Sequence, residues 1–556
     1  MKMVPLPQAP ARLWLVLLAG LAVAGCSSQA EESYFGRLDP PPESILRVGN
    51  GQEPRSFDPH KSIAYPEGHV YLNIYEGLAS RDGKTLEPRP AIATAWWTTA
   101  DRRRWIFALR RGVRFSDGVP ITAHDFVYSW RRLVDPQRAS PYVFAAYGIK
   151  NARAIAEGKL PVDALGVQAL DDFTLAVDLE QPTPYFDKLV TAWAFVALPR
   201  HVIEHRGDRW TQPEHLVASG PFRLAEHVPY HQIVLEKNPL YWDRHNVQLE
   251  RVYLYPVADG AQNVNLYRAG EIDVMRGGYL PLPMIPRLSL KRDFQRGPYF
   301  ASRYFSYNLA RKPFDDVRVR RALSLAIDRA VLAAKFIGNG EVPAGGVVPP
   351  IVPGYWAPEA VGFDPEGARR LLAEAGYPGG RGFPAFSLTL FARDDVRKVG
   401  EAIQSMWKHT LGIDVRLESE EGQTYTARLE RRDFAVTTDG WVGDYIDPTA
   451  FLDIFVEANA NNHSGWTDPR YATLLRQASV EPDARRRLAL LAAAEARLVE
   501  ASPVIPLTYM ALNYLKKPWV QGWYVDPLEQ HQFKYVRIER QWQSASRNER
   551  PVESGD

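Results

Sequence analysis

The sequence has little of what enzymes and metal-binding proteins commonly use. Its 556 residues include one cysteine, so no intrachain disulfide and no cysteine-rich metal site can form. Lys and Arg total 67 against 65 for Asp and Glu, and this balance excludes a dedicated nucleic-acid binder, which normally carries a basic excess. Gly338-Asn339-Gly340 begins like a dinucleotide loop, but Pro343 stands where the third glycine belongs, and no Walker loop or nucleophile elbow is present. We therefore expect no catalytic residue, no cofactor and no metal.

One histidine pair keeps a zinc peptidase open as an alternative. His201, Glu204 and His205 fit the H-x-x-E-H pattern, in which two histidines one helical turn apart bind zinc and the glutamate acts as a base. Such a site needs a third protein ligand, and no downstream carboxylate motif supplies one. A surface helix that begins after Pro199 is the simpler interpretation.

The first segment is typical of the export signal of a lipoprotein. An apolar run over residues 13–22 is too short to span a bilayer, and small residues follow it. Residues 23–28, with the sequence VAGCSS, resemble a bacterial lipobox, in which the cysteine thiol is acylated and becomes the new N-terminus. We predict a signal peptide over residues 1–25, lipidation at Cys26 and a polar tether over residues 26–42.

Acyl chains on Cys26 would anchor the mature protein to a membrane on the extracytoplasmic, periplasmic side. Ser27 and Ser28 stand where an aspartate would resemble a signal for retention in the inner membrane, so attachment to the outer membrane stays open. No later apolar stretch approaches membrane-spanning length.

Helical and strand-like patterns alternate along the rest of the chain, which predicts an α/β fold. With 46% hydrophobic and 24% charged residues the composition is that of a globular protein, and the chain is too long for one core. Thr122 and Asp125 form a capping-box variant that starts a helix ending before Pro136. Further helices are predicted over 317–332, 365–375, 396–411 and 483–500, and strands over 46–50, 105–110, 232–235, 386–391, 413–417 and 434–437.

Ten sequence blocks, spread over the whole mature chain, carry a resemblance to one family. They are EPRSFDP at 53–59, YEGL at 75–78, WIFALRRGVRFSDG at 105–118, AHDFVYSW at 123–130, SGPF at 219–222, NPLYW at 238–242, PFDDVRVRRAL at 313–323, AIDR at 326–329, LLAEAGY at 371–377 and GWVGDY at 440–445. In type and order these blocks resemble the family 5 extracellular solute-binding proteins, the oligopeptide and dipeptide receptors of bacterial ABC importers. The chain is identified as a member of that family.

The resemblance implies a two-lobed periplasmic-binding-protein fold with an additional inserted domain, of the type II or cluster C-like kind. It assigns residues 43–73, 191–303 and 507–540 to the first lobe, 74–190 to the inserted domain, 304–506 to the second lobe and 541–556 to a disordered tail. Two strands that cross between the lobes, near residues 304–308 and 504–508, are expected to form the hinge. The lobes would close on the ligand.

The resemblance also implies the partners. We expect an oligopeptide ligand, the transmembrane subunits of an ABC permease and a membrane reached through Cys26, with no nucleic acid, no enzymatic activity and a monomeric chain.

Asp444 is the central residue of the expected site. It lies where peptide receptors of this family pair the α-ammonium of the ligand, and burying that charge in a closed cleft is unfavourable unless a carboxylate balances it. Asp447 is the nearby competitor and is more readily explained as a turn or cap residue before Pro448.

Receptors for peptides of varied sequence bind the ligand main chain, because that is what all peptides share. By resemblance, Gly440 and Val442 would supply main-chain groups from one lobe, and Ala64 and Tyr65 from the other. The glycine also permits a close backbone approach. Aromatic residues complete the expected site. They are Trp441 and Tyr445, which would wall the side-chain pockets, and Tyr304 and Tyr307, which lie near the expected hinge.

The chain departs from the best-known oligopeptide receptors at the other end of the ligand. Thr438, Leu429 and Val396 align with cationic side chains that bind the C-terminal carboxylate in those proteins, and Gly422 aligns with a tryptophan. Three arginines near these positions are alternative candidates: Arg428, Arg431 and Arg432. The preferred peptide length and a murein-peptide ligand therefore stay open.

A receptor of the same fold for a non-peptide solute, such as a sugar oligomer or a metal chelate, is the second hypothesis. Asp444 separates the two, because a neutral sugar gives no reason for a buried carboxylate there.

Overall fold

The computed structural model describes residues 34–359, 361–457 and 459–543. The strands are β1 Ile45–Gly49, β2 Ala79–Arg81, β3 Pro88–Pro90, β4 Ala93–Thr98, β5 Arg104–Leu109, β6 Val167–Asp171, β7 Thr174–Asp178, β8 Phe222–Val228, β9 Gln232–Lys237, β10 Arg251–Tyr255, β11 Val274–Met275, β12 Phe294–Tyr307, β13 Val342–Pro343, β14 Phe386–Phe391, β15 Val415–Glu420, β16 Val436–Val442, β17 Val504–Lys516, β18 Val520–Gln521 and β19 Arg537–Ile538. Within the described residues, eleven strands form one mixed sheet in the order β15-β14-β16-β12-β17-β11-β1-β10-β9-β8, with β13 beside β17. A separate sheet, β4-β5-β7-β6, lies in the segment assigned to the inserted domain.

The α-helices alternate with the strands, and the predicted α/β class is confirmed. They are Tyr65–Ile74, Ala123–Val134, Ala152–Ala156, Phe186–Leu189, Arg200–Arg206, Gly260–Ala269, Ile285–Leu288, Val317–Leu325, Arg329–Val331, Pro365–Glu374, Asp394–Leu411, Gly422–Glu430, Thr449–Leu452, Pro469–Val480 and Ala484–Ala501. β14, the helix Asp394–Leu411 and β15 form a βαβ unit, and β14 pairs in parallel with both β15 and β16.

Local capping chemistry explains where two of these helices begin. The capping box at Thr122 and Asp125 is present, with the Thr122 N–H donating to the Asp125 carboxylate over 2.8 Å. The helix predicted over 317–332 is instead divided after Leu325, because Asp328 caps a new turn by accepting from the backbone N–H of Val331.

Two long strands, β12 and β17, carry the chain between the two lobes, as the expected crossing strands do. Their antiparallel ladder pairs Phe294 with Leu515 at one end and Ser306 with Val504 at the other. The register shifts twice: between Pro298 and Ser302, where β12 has extra residues, and between Arg303 and Tyr304, where β17 has one. The second shift lies at the start of the segments expected to form the hinge.

Within the described residues the buried hydrophobic side chains form four clusters, of which the two largest lie in different parts of the chain. One cluster joins Leu46 of β1 to Phe107 of β5 and to Trp519, so the segments assigned to the first lobe and the inserted domain share one core. A second cluster contains Leu388 of β14 and Trp407, which belong to the segment assigned to the second lobe. These domain limits are kept below as proposals.

The described part of the predicted tether is packed against the protein. The Phe35 N–H donates to Asp293 over 3.0 Å, and the Phe35 ring stacks on Tyr267 at 6.3 Å. Lys517 donates to the carbonyls of Phe35 and Arg37. The chain is thus held to the body from Phe35 onward.

The predicted signal peptide and Cys26 lie outside the described residues, as does most of the predicted tail. Trp542, at the start of that tail, packs edge-on against Tyr34 with 5.6 Å between ring centroids. Of the helices in the described part of the chain, none has the length and apolar character needed to cross a membrane.

Candidate ligand-binding cleft

Asp444 follows β16 by two residues, in the bend that leads to the helix Thr449–Leu452. Its carboxylate makes no hydrogen bond or ion pair with any residue of the described ranges and is exposed to solvent. Protein nevertheless surrounds the group on its other sides, and this desolvation raises the pKa of Asp444 to about 6. Exposure of the carboxylate and its raised pKa are both explained by a side chain that opens onto a cleft. Such a carboxylate is ready to pair with a cation.

Two tyrosines lie near this carboxylate: Tyr65, at the start of the helix Tyr65–Ile74, and Tyr299 of β12. The Tyr299 hydroxyl donates to the Tyr65 hydroxyl over 3.2 Å. Burial raises the pKa of both phenols, that of Tyr299 to about 12, and the charge of Asp444 adds to each shift. The tyrosine pair is thus near enough to Asp444 for its charge to act on both phenols. We call the space between them the cleft.

The last residues of β16 leave one strand edge free beside Asp444. β14 pairs with β16 only at Val436 and Thr437, whereas β12 pairs with β16 as far as Val442. The Gly443 N–H donates to the Phe300 carbonyl of β12 over 2.8 Å. Because inward and outward groups alternate along an antiparallel ladder, the main-chain groups of Gly440 and Val442 point away from β12. This edge can accept another extended chain.

Gly440 is required for contact with β12. A Cβ atom at this position would lie 2.9 Å from the carbonyl oxygen of Ser302, closer than real Cβ atoms come. The Gly440 N–H donates to the side chain of Asp439 over 2.9 Å. The carbonyl of Gly440 and both main-chain groups of Val442 are the groups left for a ligand.

Ala64 stands at the N-terminal end of the helix Tyr65–Ile74 and is exposed. Its N–H donates to the Ser62 hydroxyl over 3.1 Å, and its carbonyl accepts from the Gly68 N–H. The N–H of Tyr65 lies in the first helical turn, where backbone donors lack partners within the helix. On this side of the cleft, the backbone N–H of Tyr65 is therefore the main-chain donor that remains for a ligand.

Tyr445 and Trp441 are half-buried beside Asp444. The Tyr445 ring stacks on Tyr185 of the inserted domain with centroids 5.1 Å apart and planes 5° apart. Lys188 adds a bond to the Ile446 carbonyl over 3.0 Å. The inserted domain thus supports the bend that carries Asp444.

Asp447 has a structural environment, as predicted for a turn or cap residue. Arg487 donates to its two carboxylate oxygens over 2.7 and 2.8 Å, and the Thr449 N–H donates to it over 3.1 Å. Burial alone would raise the pKa of Asp447, but the Arg487 charge and hydrogen bonds lower it. Its bonding capacity is used within the protein.

Tyr304 and Tyr307 lie in the core, away from the cleft surface. Tyr304 is 2% exposed and Tyr307 is fully buried, with its hydroxyl donating to the Arg320 carbonyl over 2.9 Å. Position along β12 alone suggested these two residues. Because residues three positions apart on a strand point to opposite faces, the two rings are buried in different hydrophobic clusters.

Two of the three residues considered for zinc, His201 and Glu204, have other partners. His201 Nε2 lies 2.6 Å from an Asp117 oxygen, and Glu204 pairs with Arg200. Among the described residues no group of three or more potential metal ligands is close enough to hold an ion.

Of two neighbouring cavities, of about 400 and 320 Å³, the smaller lies beside the free edge of β16, where Thr438, Asp439 and Gly440 line it. The two cavities share four lining residues: Arg303, Arg393, Val399 and Met510. The smaller cavity also reaches Thr438, Leu429 and Val396, the three positions singled out in the sequence.

The arginines that the sequence suggested for a ligand carboxylate do not line these cavities. Arg428 pairs with Glu418 and Glu420, Arg432 donates to the Asn462 carbonyl, and Arg431 is exposed. Arg303 and Arg393 were missed. Arg303 pairs with Gly440 across the β12–β16 ladder, and Arg393 directly precedes the helix Asp394–Leu411. The register of β12 against β16 would have identified Arg303, because it pairs this residue with Gly440. A single sequence does not reveal this register.

Comparisons with known proteins agree with this architecture. The profile of the bacterial extracellular solute-binding proteins, family 5 Middle, matches residues 87–463. The chain is 37% identical over 507 residues to the periplasmic oligopeptide-binding protein OppA of Salmonella typhimurium, covering 89% of this chain and 92% of the relative.

Solved structures show the same similarity. The unliganded open form of MppA, a periplasmic murein tripeptide binding protein, has a TM-score of 0.81 and 34% identity, covering 90% of this chain and 98% of that one. Haemophilus influenzae OppA in complex with the peptide RPPGFSPFR has a TM-score of 0.72 and 32% identity, covering 90% and 100%. The predicted two-lobed fold is confirmed, and the chain belongs to the family 5 bacterial extracellular solute-binding proteins.

Proposed function

We propose that this protein is an extracytoplasmic receptor that captures oligopeptides between its lobes and delivers them to an ABC import permease. The observation that carries the proposal is the unpaired carboxylate of Asp444, which is open to solvent at the end of a free strand edge. A peptide brings both complements at once, an ammonium group for Asp444 and an extended main chain for Gly440 and Val442.

Binding and closure would be one event. When the lobes approach, water leaves the cleft, and the ion pair between Asp444 and the ligand ammonium becomes stronger in the drier surroundings. Tyr65 and Ala64 would meet the ligand from the first lobe. Trp441 and Tyr445 would border the pockets for its side chains, which leaves the ligand sequence free to vary.

Membrane attachment and transport belong to the same proposal. The lipobox-like segment around Cys26 supports a lipid anchor, which would keep the receptor near a permease. The names of OppA and MppA describe peptide-binding proteins of the periplasm, which supports both the ligand class and the location. Receptors of this kind need no chemistry of their own.

The test is the binding of matched peptides to an Asp444→Asn variant. We expect this variant to bind peptides with free N-termini roughly 10- to 100-fold more weakly, because a charge-assisted interaction is lost. N-acetylated peptides, which bring no ammonium group, should bind both proteins equally. Asp414→Asn is the control, since Asp414 is 81% exposed in its pair with Lys408. An equal loss for both peptide forms would contradict the assignment.

A non-peptide solute is tested by the ligand itself. Mass spectrometry of molecules released by denaturing the purified protein should detect peptides. A neutral sugar oligomer or a metal chelate as the released species would contradict the proposal and leave Asp444 unexplained.

A further inference from the structure

A cavity of about 390 Å³ lies between the β2–β3 hairpin and the segment over residues 522–536, which follows β18. We call it the hairpin cavity. It shares no lining residue with the two cavities described above, and none of the residues proposed to meet the peptide lines it. Ligand pockets in proteins commonly have volumes of about 300–1,000 Å³. The hairpin cavity is therefore large enough for a small organic molecule and is built from other residues than the peptide site.

Aromatic rings form much of the wall of the hairpin cavity. The Trp523 ring stacks on the His531 ring, with centroids 4.1 Å apart and planes 20° apart. Tyr524 and Tyr535 also line the cavity, and both are exposed. Burial and the charges of two nearby arginines lower the pKa of His531 well below its usual range, so this ring is neutral. The wall thus offers flat aromatic surface, which suits a ligand that contains a ring.

The two carboxylates in the wall are already bonded within the protein. Asp526 is buried and accepts from Nη2 of Arg81 at both of its oxygens, over 2.8 and 2.7 Å. Asp82 accepts from two backbone N–H groups of its own turn and from Nη1 of Arg89, each over 2.8 Å. The backbone bonds and the Arg89 charge lower the pKa of Asp82. Both carboxylates therefore have partners, and a cationic ligand would have to compete with arginine for them.

Several donors of the same wall lack partners among the described residues. The side-chain amide of Gln530 makes no hydrogen bond with any of them, although Gln530 is only 9% exposed. Nε and Nη1 of Arg81 and Nε1 of Trp523 are buried and likewise unbonded. The ammonium group of Lys84 lies 5.0 Å from the centroid of an aromatic ring and forms no ion pair with a described residue. Arg89, with its side chain 53% exposed, uses only Nη1. The wall thus has an excess of positive charge and of hydrogen-bond donors.

We propose that the hairpin cavity binds a small organic anion, a molecule in which a ring carries a carboxylate or a phosphate group. The Gln530 amide donates to the anionic group, while Lys84, Arg89 and the buried Arg81 provide positive charge around it. The ring of the ligand packs against the aromatic wall at Trp523. This site is additional to the peptide site, and the inference does not depend on the proposed function.

The test is calorimetric titration of the protein with four probes. They are benzoate, phenyl phosphate, benzyl alcohol and inorganic phosphate. Benzoate or phenyl phosphate should bind one molecule per chain and roughly 10-fold more tightly than benzyl alcohol, which has the ring without the charge. Inorganic phosphate, which has the charge without the ring, should also bind more weakly. The tighter of the two aromatic anions identifies the anionic group that the site prefers.

Variants assign the binding to this cavity. Gln530→Leu, with folding checked by circular dichroism, should weaken the aromatic anions roughly 10-fold, because it removes the amide and keeps a side chain of similar size. Lys84→Gln should fold, since Lys84 is exposed, and should weaken them roughly 2- to 5-fold. Lys159→Gln is the matched control, because Lys159 is 72% exposed and does not line the cavity.

Three results would overturn the proposal. The first is the absence of saturable binding by both benzoate and phenyl phosphate. The second is equal affinity for benzyl alcohol, which would show that the positive charges of the wall have no part in binding. The third is wild-type affinity in both Gln530→Leu and Lys84→Gln, which would place the bound anion elsewhere on the protein. Each of these results leaves peptide binding at Asp444 unaffected.

Discussion

Two aspartates three positions apart have opposite roles because their surroundings differ. Asp447 is enclosed and fully bonded to Arg487 and Thr449, so its negative charge stabilises the fold. Asp444 has no partner, and desolvation raises its pKa to about 6. A perturbed carboxylate without a structural partner marks a functional position. Asp444 and Asp447 lie in the same short segment of the sequence, and their different roles follow only from their surroundings in the folded protein.

The pKa of Asp444 predicts how peptide affinity depends on pH. Below about pH 6 the carboxylate of the free protein is protonated and must release a proton before it can pair with an ammonium. Affinity should therefore fall as the pH decreases through 6, by up to about tenfold per pH unit. It should also fall above about pH 8, where the peptide amino group loses its charge. Calorimetry between pH 5 and 9 measures both limbs.

Asp444→Asn is the control for the acidic limb. The variant has no carboxylate to titrate at this position, so its affinity should stay nearly constant between pH 5 and 7. An acidic limb of the same steepness in the variant would show that another group titrates, and the assignment to Asp444 would be wrong.

Elements with local signals were predictable from the sequence. The capping residues Thr122 and Asp125 predicted the start of the helix Ala123–Val134. The predicted limits of β14 agree with the observed ones because turn residues bound its apolar run. The break before Asp328 was missed because a continuous helical pattern hid a second cap. Residue propensities and hydrophobic periodicity report only on interactions between residues that are close in the sequence.

The arrangement at the free edge of β16 was only partly predictable. Resemblance identified Gly440, Val442 and Asp444, but Arg303 and Arg393 come from segments far apart in the chain. Their meeting depends on the pairing of β12 with β16 and on the start of the helix Asp394–Leu411. Strand register is set by tertiary contacts, and a single sequence does not display it.

Gly440→Ala tests the role of this strand edge. The added Cβ would lie 2.9 Å from the Ser302 carbonyl oxygen, so β16 and β12 must separate to accommodate it. We expect the free energy of unfolding to fall by about 1–3 kcal/mol, as for other overpacked sites. Peptide affinity should fall as well, because the edge that meets the ligand main chain moves. Urea denaturation and calorimetry measure the two effects.

Gly148→Ala is the control for this substitution, since no heavy atom lies within 4 Å of its added Cβ. It should leave stability within about 0.5 kcal/mol of the wild type. Unchanged stability of Gly440→Ala would contradict the close approach of the two strands.

On the scale of the whole molecule, β12 and β17 connect the two lobes, and closure of the lobes on a ligand would turn about these strands. The register shift between Pro298 and Ser302 interrupts the regular ladder, and Phe300 there bonds to Pro527 on one side and to Gly443 on the other. Irregular pairing of this kind is where a sheet bends most readily. The residues next to the shift include Tyr299, so bending there would bring the tyrosine pair toward Asp444.

A third, noncovalent connection joins the inserted domain to the second lobe beside the site. The Tyr185–Tyr445 stack and the bond from Lys188 to the Ile446 carbonyl support the bend that carries Asp444. Because Tyr185 touches no ligand in the proposed site, it should act by keeping this bend ordered before a peptide arrives. If the bend is already ordered in the free protein, no binding free energy is lost in ordering it when a peptide binds.

Tyr185→Ala should therefore weaken all peptides to a similar degree. An aromatic pair contributes about 0.5–1.5 kcal/mol, which corresponds to roughly 2- to 10-fold in affinity if the lost order is regained on binding. Free and N-acetylated peptides should lose the same factor, in contrast with Asp444→Asn, which discriminates between them. Tyr230→Ala, at a side chain that is 82% exposed, is the control. A loss confined to peptides with free N-termini would mean that Tyr185 acts through the charge of Asp444, and the positional role argued for it would be wrong.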